Sequence, residues 1–285
     1  MIKAILLDID GTLTNDQKEI TPFTKDVLMR AQKRGIRLGI ASARTSHGLK
    51  RFGDWLEFEK YHGIYVACNG AEITDASSGE MIYEKAIEPK LASEILEHLK
   101  KFQVIPLIAK GEHMYTNDVY AGKIHDANGN PVDIIRYESR SNNYLLCEEK
   151  DLAAFVDFPL TKILVSGEPD YLKSIGEELG KPFKDRAKCG FTAPVFYEYN
   201  AYGVDKAKAI ASAFEKLGIK PEEMMAFGDQ VNDIGMLEYV KYGIAMGNAV
   251  DACKASAFDV TDDNNHDGIA KAVLKYIPEL AEGKL

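Results

Sequence analysis

Short apolar runs alternate with amphipathic segments in the first part of this chain, and this alternation limits the possible folds more than any other feature. Residues 2–8 (IKAILLD), 36–41 (IRLGIA) and 64–67 (IYVA) are typical of buried strands, because they are almost continuously apolar. The segment 21–35 is predicted to be a helix that begins after Thr21 and ends at a glycine. Strands that alternate with helices indicate a parallel sheet with helices on both faces.

The alternation is interrupted in the middle of the chain. Residues 83–188 contain short strand-like pieces and three predicted helices, and this segment of roughly one hundred residues is long enough for a domain. The alternation then resumes with VFYEY as a strand and 205–216 as a helix. We therefore predict an α/β fold: a Rossmann-like parallel-sheet core built from residues 1–82 and 189–285, with an inserted α+β domain.

Composition excludes several classes of partner. The 285 residues carry a formal net charge of −9 and no basic run longer than Lys100-Lys101, which argues against a nucleic-acid partner. No apolar stretch approaches the roughly 18 residues that span a bilayer. Asp8 and Asp10 interrupt the first apolar run too early for a secretory signal. We expect a cytoplasmic protein without membrane partners that acts on a small molecule; its oligomeric state is left open.

Polar residues stand at the carboxyl ends of the predicted core strands, where open parallel sheets bind ligands. They are Asp8 and Asp10 after AILL, Ser42 after RLGIA, Asp229, Asn232 and Asp233 after MMAFG, and Lys206 at the start of the helix after VFYEY. We expect all of them to converge on one edge of the sheet.

The carboxylates in this set require an explanation. Turn capping explains Asp10 before Gly11 but not Asp8, since a carboxylate that ends a buried strand needs a cation or hydrogen bonds. Several carboxylates gathered together repel one another, and a divalent cation relieves the repulsion. An all-oxygen set suits Mg²⁺ better than Zn²⁺, and the histidines have no zinc-site spacing. For Lys206, and for Asn232 with Asp233, a solvated helix lysine and a helix N-terminus remain the alternatives.

These residues resemble a known family. DIDGT (8–12), Ser42, Lys206 and GDQVND (228–233), in this order, resemble the four motifs of the haloacid dehalogenase (HAD) superfamily. The segments ACNGAEI, AYGVDKAKAI, YGIAMGNA and DGIA resemble its Cof-type sugar-phosphate phosphatases. The resemblance covers nearly the whole predicted core and is weaker across the insertion.

The resemblance implies an Mg²⁺-dependent phosphatase that forms an aspartyl-phosphate. Asp8 would be the nucleophile, and the Asp10 side chain would act as general acid and then as base. Mg²⁺ would bind the Asp8 carboxylate, the Asp10 backbone carbonyl, Asp229 and, directly or through water, Asp233. Lys206 would offset the remaining charge. A phosphosugar mutase of the same superfamily and a non-catalytic sugar-phosphate sensor are the alternatives.

Further site residues follow from the same motifs. Gly11 would give the turn its backbone freedom, Thr12 would support the nucleophile loop, and the Ser42 hydroxyl with the Ala43 amide would bind phosphate. The family usually has glycine at position 43, so a positive φ there would strain the alanine. Other residues have a site role and a plain structural role as alternatives: Arg44 (substrate contact or local ion pair), Asn69 and Gly70 (substrate contact or turn), and Asn232.

The inserted domain resembles the larger α/β cap of the family, which closes over the substrate and contacts its leaving group. The candidates for that contact are polar residues predicted to lie in its loops: His113, Tyr115, Asp118, His125, Asp126 and Arg140. An ordinary exposed side chain is the alternative for each.

Overall fold

The computed structural model describes residues 1–281, so positions 282–285 of the predicted second core segment lie outside the described residues. The described chain forms two compact units. The core unit comprises Met1–Glu84 and the chain from Asp205 onward, and the inserted unit is Lys85–Val204. None of the helices in residues 1–281 combines the length and the apolar character needed to cross a membrane.

The strands and helices of the described residues follow in chain order. The strands are β1 Ala4–Leu7, β2 Arg37–Ala41, β3 Ile64–Ala67, β4 Glu72–Asp75, β5 Met81–Glu84, β6 Ile105–Lys110, β7 His113–Thr116, β8 Lys123–His125, β9 Pro131–Asp133, β10 Leu145–Glu148, β11 Lys162–Ser166, β12 Ala187–Ala193, β13 Phe196–Ala201, β14 Met224–Gly228, β15 Tyr242–Ala245 and β16 Asp259–Val260. The α-helices are α1 Pro22–Lys33, α2 Ser46–Trp55, α3 Phe58–Tyr61, α4 Pro89–Leu99, α5 Ile134–Ser141, α6 Leu152–Phe155, α7 Pro169–Gly180, α8 Lys206–Lys216, α9 Ile234–Tyr239, α10 Asp251–Ser256 and α11 Gly268–Tyr276. Short 3₁₀ turns lie at Cys68–Gly70, Pro221–Glu223, Val231–Asp233 and Pro278–Leu280.

The core unit contains an eight-stranded sheet in the order β16-β15-β14-β1-β2-β3-β4-β5. The strands from β16 to β3 are parallel, and β4 and β5 extend the sheet as antiparallel strands. β1 lies at the centre, between β14 and β2. The predicted α/β fold with a parallel-sheet core is thus confirmed.

Both faces of this sheet are buried, which explains the continuously apolar strands. Ile5 and Leu7 of β1 belong to one cluster, with side chains of α1, α2 and α11. Ala4 and Leu6 point to the opposite face and belong to a second cluster with α8, α9 and α10. At roughly 25 cal/mol per Å² of apolar surface removed from water, these two clusters are the main stabilising contribution in the core unit.

The inserted unit has a six-stranded sheet of its own, in the order β10-β7-β6-β11-β13-β12, and a small sheet of β8 and β9. Its apolar cluster gathers Leu107, Met114, Leu164 and side chains of α5. This unit therefore mixes strands and helices.

The predicted return to the core at residue 189 is too early. β12 and β13 pair antiparallel with each other, and β13 pairs with β11, so VFYEY is a strand of the inserted unit. The unit ends only at Val204, and the core resumes at Asp205. Lys206 therefore opens a core helix that does not follow a strand of the core sheet.

Candidate active site

The central parallel strands end at one edge of the core sheet. Leu7, the last residue of β1, is in register with Phe227 of β14 and Ile40 of β2. The residues that come next, Asp8 after β1 and Ser42 after β2, consequently lie at neighbouring strand ends. Asp8 continues the pairing with β14, since its N–H donates to the Phe227 carbonyl at 3.1 Å.

Three buried carboxylates meet at this edge. One oxygen each of Asp8, Asp229 and Asp233 lies within 4.8 Å of the others. Lys206 is buried among them: its Nζ is 2.8 Å from Asp233 Oδ1 and 3.8 Å from Asp8 Oδ1. The same ammonium donates a hydrogen bond to the carbonyl of Ala41, the last residue of β2, at 3.3 Å. Helix α8 thus delivers one positive charge to a group of three acids.

The charges of this cluster do not balance. Burial raises the pKa of Asp8 well above its ordinary value, and Asp233 raises it further, while Lys206 opposes the shift. Burial also raises the pKa of Asp229. Burial by itself lowers the pKa of Lys206, but the charges of Asp233 and Asp8 outweigh that effect and raise it, so the ammonium stays protonated. The all-oxygen cluster therefore suits a divalent cation, which compensates the excess negative charge.

The loop after β14 holds Asp229 from several sides. The hydroxyl of Thr12 donates to Asp229 Oδ1 and the Gln230 side chain to Oδ2, both at 2.9 Å. Asp233 Oδ2 accepts the backbone N–H groups of residues 229 and 230, each at 3.1 Å. Gly11 has φ +83°, and a Cβ there would lie 2.6 Å from Asp229 Oδ2. The DIDGT turn and the GDQVND loop therefore fit together only with glycine at position 11.

Asp10 stands apart from the three acids. Its carboxylate pairs with Arg44 and with Lys18, each at 2.9 Å, and its side chain is 44% exposed. Burial raises the pKa of Asp10, but Arg44 and Lys18 outweigh that effect and lower it. Of the two roles considered for Arg44, the structure shows the local ion pair. Lys18 was missed because it lies in an irregular loop without a sequence pattern.

The loop after β2 presents Ser42 and the backbone beside it. Ser42 is buried, its N–H donates to the Val66 carbonyl at 2.9 Å, and its Oγ accepts the Arg44 N–H at 3.3 Å. Ala43 is not among the described residues with positive φ. The alanine at position 43 is therefore free of the backbone strain considered from the sequence.

A strained turn joins this loop to α8. Cys68, Asn69 and Gly70 all have positive φ, of 48°, 56° and 89°. The Asn69 N–H donates to the Ser42 carbonyl at 3.0 Å, and the Asn69 Oδ1 is a buried atom without a hydrogen-bond partner. A Cβ on Gly70 would lie 2.9 Å from the Cα of Lys206. Non-glycine residues with positive φ are uncommon and concentrate at functional sites, so the turn stays a candidate part of the site.

The remaining predicted residues are more peripheral. Asn232 lies in the same loop as Asp233 but is exposed. In the inserted unit, His125 pairs with Glu168 at 3.1 Å, and Asp126 accepts backbone hydrogen bonds within its own loop. His113 and Tyr115 lie side by side, with ring centroids 6.2 Å apart. No shared role follows for these residues, and their part in specificity stays a prediction, as it does for Asp118 and Arg140.

The geometry agrees with the comparisons to known proteins. A family model described as haloacid dehalogenase-like hydrolase matches residues 5–273. The chain belongs to this family. As a Cof-type HAD phosphatase it is a phosphoric monoester hydrolase.

Individual relatives are similar over their full length. The 5-amino-6-(5-phospho-D-ribitylamino)uracil phosphatase YcsE of Bacillus subtilis is 28% identical, and the match covers 97% of this chain and 96% of the relative. The pyridoxal phosphate phosphatase YbhA of Escherichia coli is 26% identical over 96% of this chain and 98% of the relative. A haloacid dehalogenase-like hydrolase from Bacteroides thetaiotaomicron is 29% identical, with a TM-score of 0.89 over 97% of this chain and 100% of that structure.

Proposed function

We propose that this HAD phosphatase hydrolyses phosphate monoesters of small metabolites, sugar phosphates among them, with Asp8 as nucleophile and Mg²⁺ as cofactor. One observation carries the proposal. Asp8 directly follows the central strand β1 and lies in a cluster with a buried ammonium, Lys206, and two further carboxylates, Asp229 and Asp233. A carboxylate that attacks a phosphate dianion needs positive charge beside it; here Lys206 supplies one charge, and the two further carboxylates would bind a divalent cation that supplies the rest.

The cluster fits Mg²⁺ by its chemistry. Its donors are oxygens, and the three acids exceed the single charge of Lys206. Asp8, Asp229 and the backbone carbonyl of Asp10 would hold the ion. Asp233 would act through water, because its oxygens already accept Lys206 and two backbone N–H groups. When bound, Mg²⁺ reduces the repulsion between the nucleophile and the phosphoryl oxygens.

The side chains divide the reaction into two displacements. In the first, an oxygen of the Asp8 carboxylate forms a bond to phosphorus while the bond from phosphorus to the ester oxygen breaks, and Asp10 gives a proton to the departing alcohol. Arg44 and Lys18 favour the ionised form of Asp10 in the free protein, so Asp10 would take up this proton when the anionic substrate binds beside it. In the second, water attacks phosphorus, the Asp8–phosphorus bond breaks, and the Asp10 carboxylate takes a proton from that water. Both aspartates return to their starting states, and phosphate is released.

Several groups would bind the phosphoryl group while these bonds change. We assign this role to the Ser42 hydroxyl, the Ala43 amide and Lys206, with Gly11 and Thr12 shaping the turn beside them. Four further residues are proposed to contact the substrate around this point: Arg44, Asn69, Gly70 and Asn232. The buried and unpartnered Asn69 Oδ1 supports its inclusion, since a buried acceptor gains most from a ligand that donates to it.

The names of the relatives bear on the substrate class. YcsE and YbhA are named for a phosphorylated ribitylaminouracil and for pyridoxal phosphate, both small phosphate monoesters. A small phosphorylated metabolite is accordingly the proposed partner of this chain. The mutase and sensor alternatives have no observation of their own in their favour.

The decisive experiment identifies the phosphorylated residue. Protein mixed briefly with substrate and Mg²⁺ and then reduced with borohydride is expected to carry homoserine at position 8, located by peptide mass spectrometry. Asp8→Asn should lower phosphate release by more than about 10³-fold and yield no homoserine. Asp26→Asn, on an exposed position of α1, is the control and should keep wild-type activity.

Three results would contradict the proposal. They are phosphate release by Asp8→Asn at the wild-type rate, homoserine at another position, and a rate that stays constant when EDTA replaces Mg²⁺. A hexose phosphate converted to its isomer without free phosphate would instead favour the mutase.

A further inference from the structure

The turn after β1 is held from outside by two asparagines. Asn248 Nδ2 donates to the Gly11 carbonyl at 2.8 Å, and Asn264 Nδ2 donates to the Thr14 carbonyl at 2.9 Å. The two are linked, because the Asn264 N–H donates to Asn248 Oδ1 at 3.2 Å. We call this pair the asparagine clamp. It comes from the loop after β15 and the loop before α11, both remote from the turn in sequence.

The clamp supplies hydrogen-bond donors to two carbonyls of the turn. Inside the turn, the N–H groups of Thr12, Leu13 and Thr14 donate to the carbonyls of Asp8 and Ile9. Those bonds use the carbonyls of residues 8 and 9, whereas the carbonyls of residues 11 and 14 accept from the clamp. Asn264 is buried, and a carboxamide buried without its hydrogen bonds is costly, so its orientation is well determined.

The segment that the clamp holds includes Gly11, which directly follows Asp10. The Asp10 carboxylate is otherwise held by Arg44 and Lys18, whose long side chains do not fix the position of its backbone. A proton donor must lie within hydrogen-bond distance of the oxygen it protonates, and a displacement of about 1 Å can lower the rate by about 10²-fold. We propose that Asn248 and Asn264 are positioning residues that set the location of the Asp10 carboxyl for proton transfer to the leaving alcohol.

This inference rests on the proposed function, in which Asp10 protonates the ester oxygen as the bond to phosphorus breaks. Its signature is a dependence on the leaving group. An alkoxide needs that proton, whereas p-nitrophenolate is a good leaving group without it. Since kcat/KM reports the steps up to departure of the alcohol, it separates this transfer from the later attack of water.

The test compares kcat/KM for an alkyl phosphate, such as a hexose 6-phosphate, with that for p-nitrophenyl phosphate. Asn248→Ala is expected to lower the alkyl value by at least about tenfold and to change the aryl value by less than about threefold. Asn264→Ala should show the same bias. Asn248 is exposed, so its variant carries the test even where the buried Asn264→Ala fails to fold.

Two further variants make the result specific. Asn265→Ala is the matched control: Asn265 adjoins the clamp and bonds Asp16, beyond the turn, and its removal should leave the ratio of the two values unchanged. Asp10→Asn should show the strongest bias toward the aryl substrate. Thermal unfolding of each variant records the purely structural effect.

The outcomes separate the two claims. Three results would overturn the positioning role: equal loss on both substrates in Asn248→Ala, no loss on either substrate, or an effect of Asn265→Ala as large as that of Asn248→Ala. In each case, an Asp10→Asn protein that is biased toward the aryl substrate would still support the proposed function. An unbiased Asp10→Asn would overturn both the acid role and the inference that depends on it.

Discussion

Asp233 shows how one buried side chain can hold several parts of the candidate site together. Its Oδ1 accepts the Lys206 ammonium, and its Oδ2 accepts two backbone N–H groups of its own loop. It is fully buried, so these bonds replace the water that the charge would otherwise need. Asp233 therefore fixes both the loop that carries Asp229 and the position of Lys206.

Lys206 is the charge on which this arrangement depends, and its removal gives a direct test. In Lys206→Met, Asp8 and Asp233 would lose the one ammonium of residues 1–281 that lies within 4 Å of them, and Asp233 would remain as a buried charge without this partner. Breaking a buried ion pair from one side costs about 3–5 kcal/mol, so we expect a loss of that size in the free energy of unfolding measured by denaturant without Mg²⁺. Phosphate release should fall by at least about 10²-fold.

The control for this variant lies on the same helix. Lys208 lies two residues after Lys206 and is exposed. Lys208→Met should therefore change neither the stability nor the activity measurably. Equal effects of the two substitutions would show that the burial of Lys206 has no functional consequence.

The Cys68–Gly70 turn connects two elements that each carry a site residue. It forms hydrogen bonds with the backbone of the loop after β2, and it packs against the first turn of α8. This close approach is possible because Gly70 has no side chain. Backbone strain in two successive non-glycine residues, Cys68 and Asn69, persists only where the surroundings impose it. The close approach of turn and helix therefore sets the position of Lys206 relative to Ser42.

Gly70→Ala tests this contact between elements. The new Cβ would lie 2.9 Å from the Cα of Lys206 and 3.0 Å from the Cβ of Ala209, so the turn or the helix must move. We expect a destabilisation of about 2–4 kcal/mol, from positive φ and overpacking together, and a large loss of kcat. Gly79→Ala has a similar φ, +71°, with nothing within 4 Å, and should show only the backbone cost of about 1–2 kcal/mol. Equal losses of stability would exclude the steric contact.

Local patterns predicted most elements of the core but could not assign every strand to its sheet. The apolar runs that became β1, β2, β3 and β14 were recognised, because burial on both faces leaves a continuous apolar signal. VFYEY gave an equally clear strand signal, yet it pairs in the inserted unit. Strand pairing depends on residues far apart in the sequence, so a five-residue pattern does not indicate which sheet the strand joins.

The candidate site was predictable where carboxylates follow buried strands, because few structural roles explain an acid at the end of a buried strand. Asp8, Asp229 and Asp233 were expected together, and the structure brings them together with Lys206. Other contacts around the DIDGT turn were not predictable. Lys18, which pairs with Asp10, and the two clamp residues, which bond the backbone after Asp10, lie in irregular loops, where single polar residues are common and carry no period. Such contacts appear only once the loops are placed in space.

The cluster also affects the stability of the whole molecule, since a chain of net negative charge gathers three buried acids in its core unit. The folded-state pKa of Asp8 lies above its unfolded value. The unfolded chain therefore releases this proton first as pH rises, and stability falls across the interval between the unfolded and the folded pKa. Above that interval the ionised Asp8 destabilises the metal-free protein in full.

Asp8→Asn should consequently make the metal-free protein more stable while it removes activity. At pH 8 in EDTA we expect its free energy of unfolding to exceed that of the wild type by roughly 1–3 kcal/mol, and the difference should shrink as pH approaches 4. Saturating Mg²⁺ should reverse the order, because the ion stabilises only a folded state that can bind it. Asp10→Asn is the contrast: the pKa of Asp10 is lowered, so its substitution should leave stability unchanged or reduce it slightly. Denaturant unfolding at both pH values, with and without Mg²⁺, measures each of these stability differences. If Asp8→Asn is less stable than the wild type in EDTA at pH 8, then the cluster does not destabilise the metal-free protein, and the view that its cation-binding acids reduce stability is wrong.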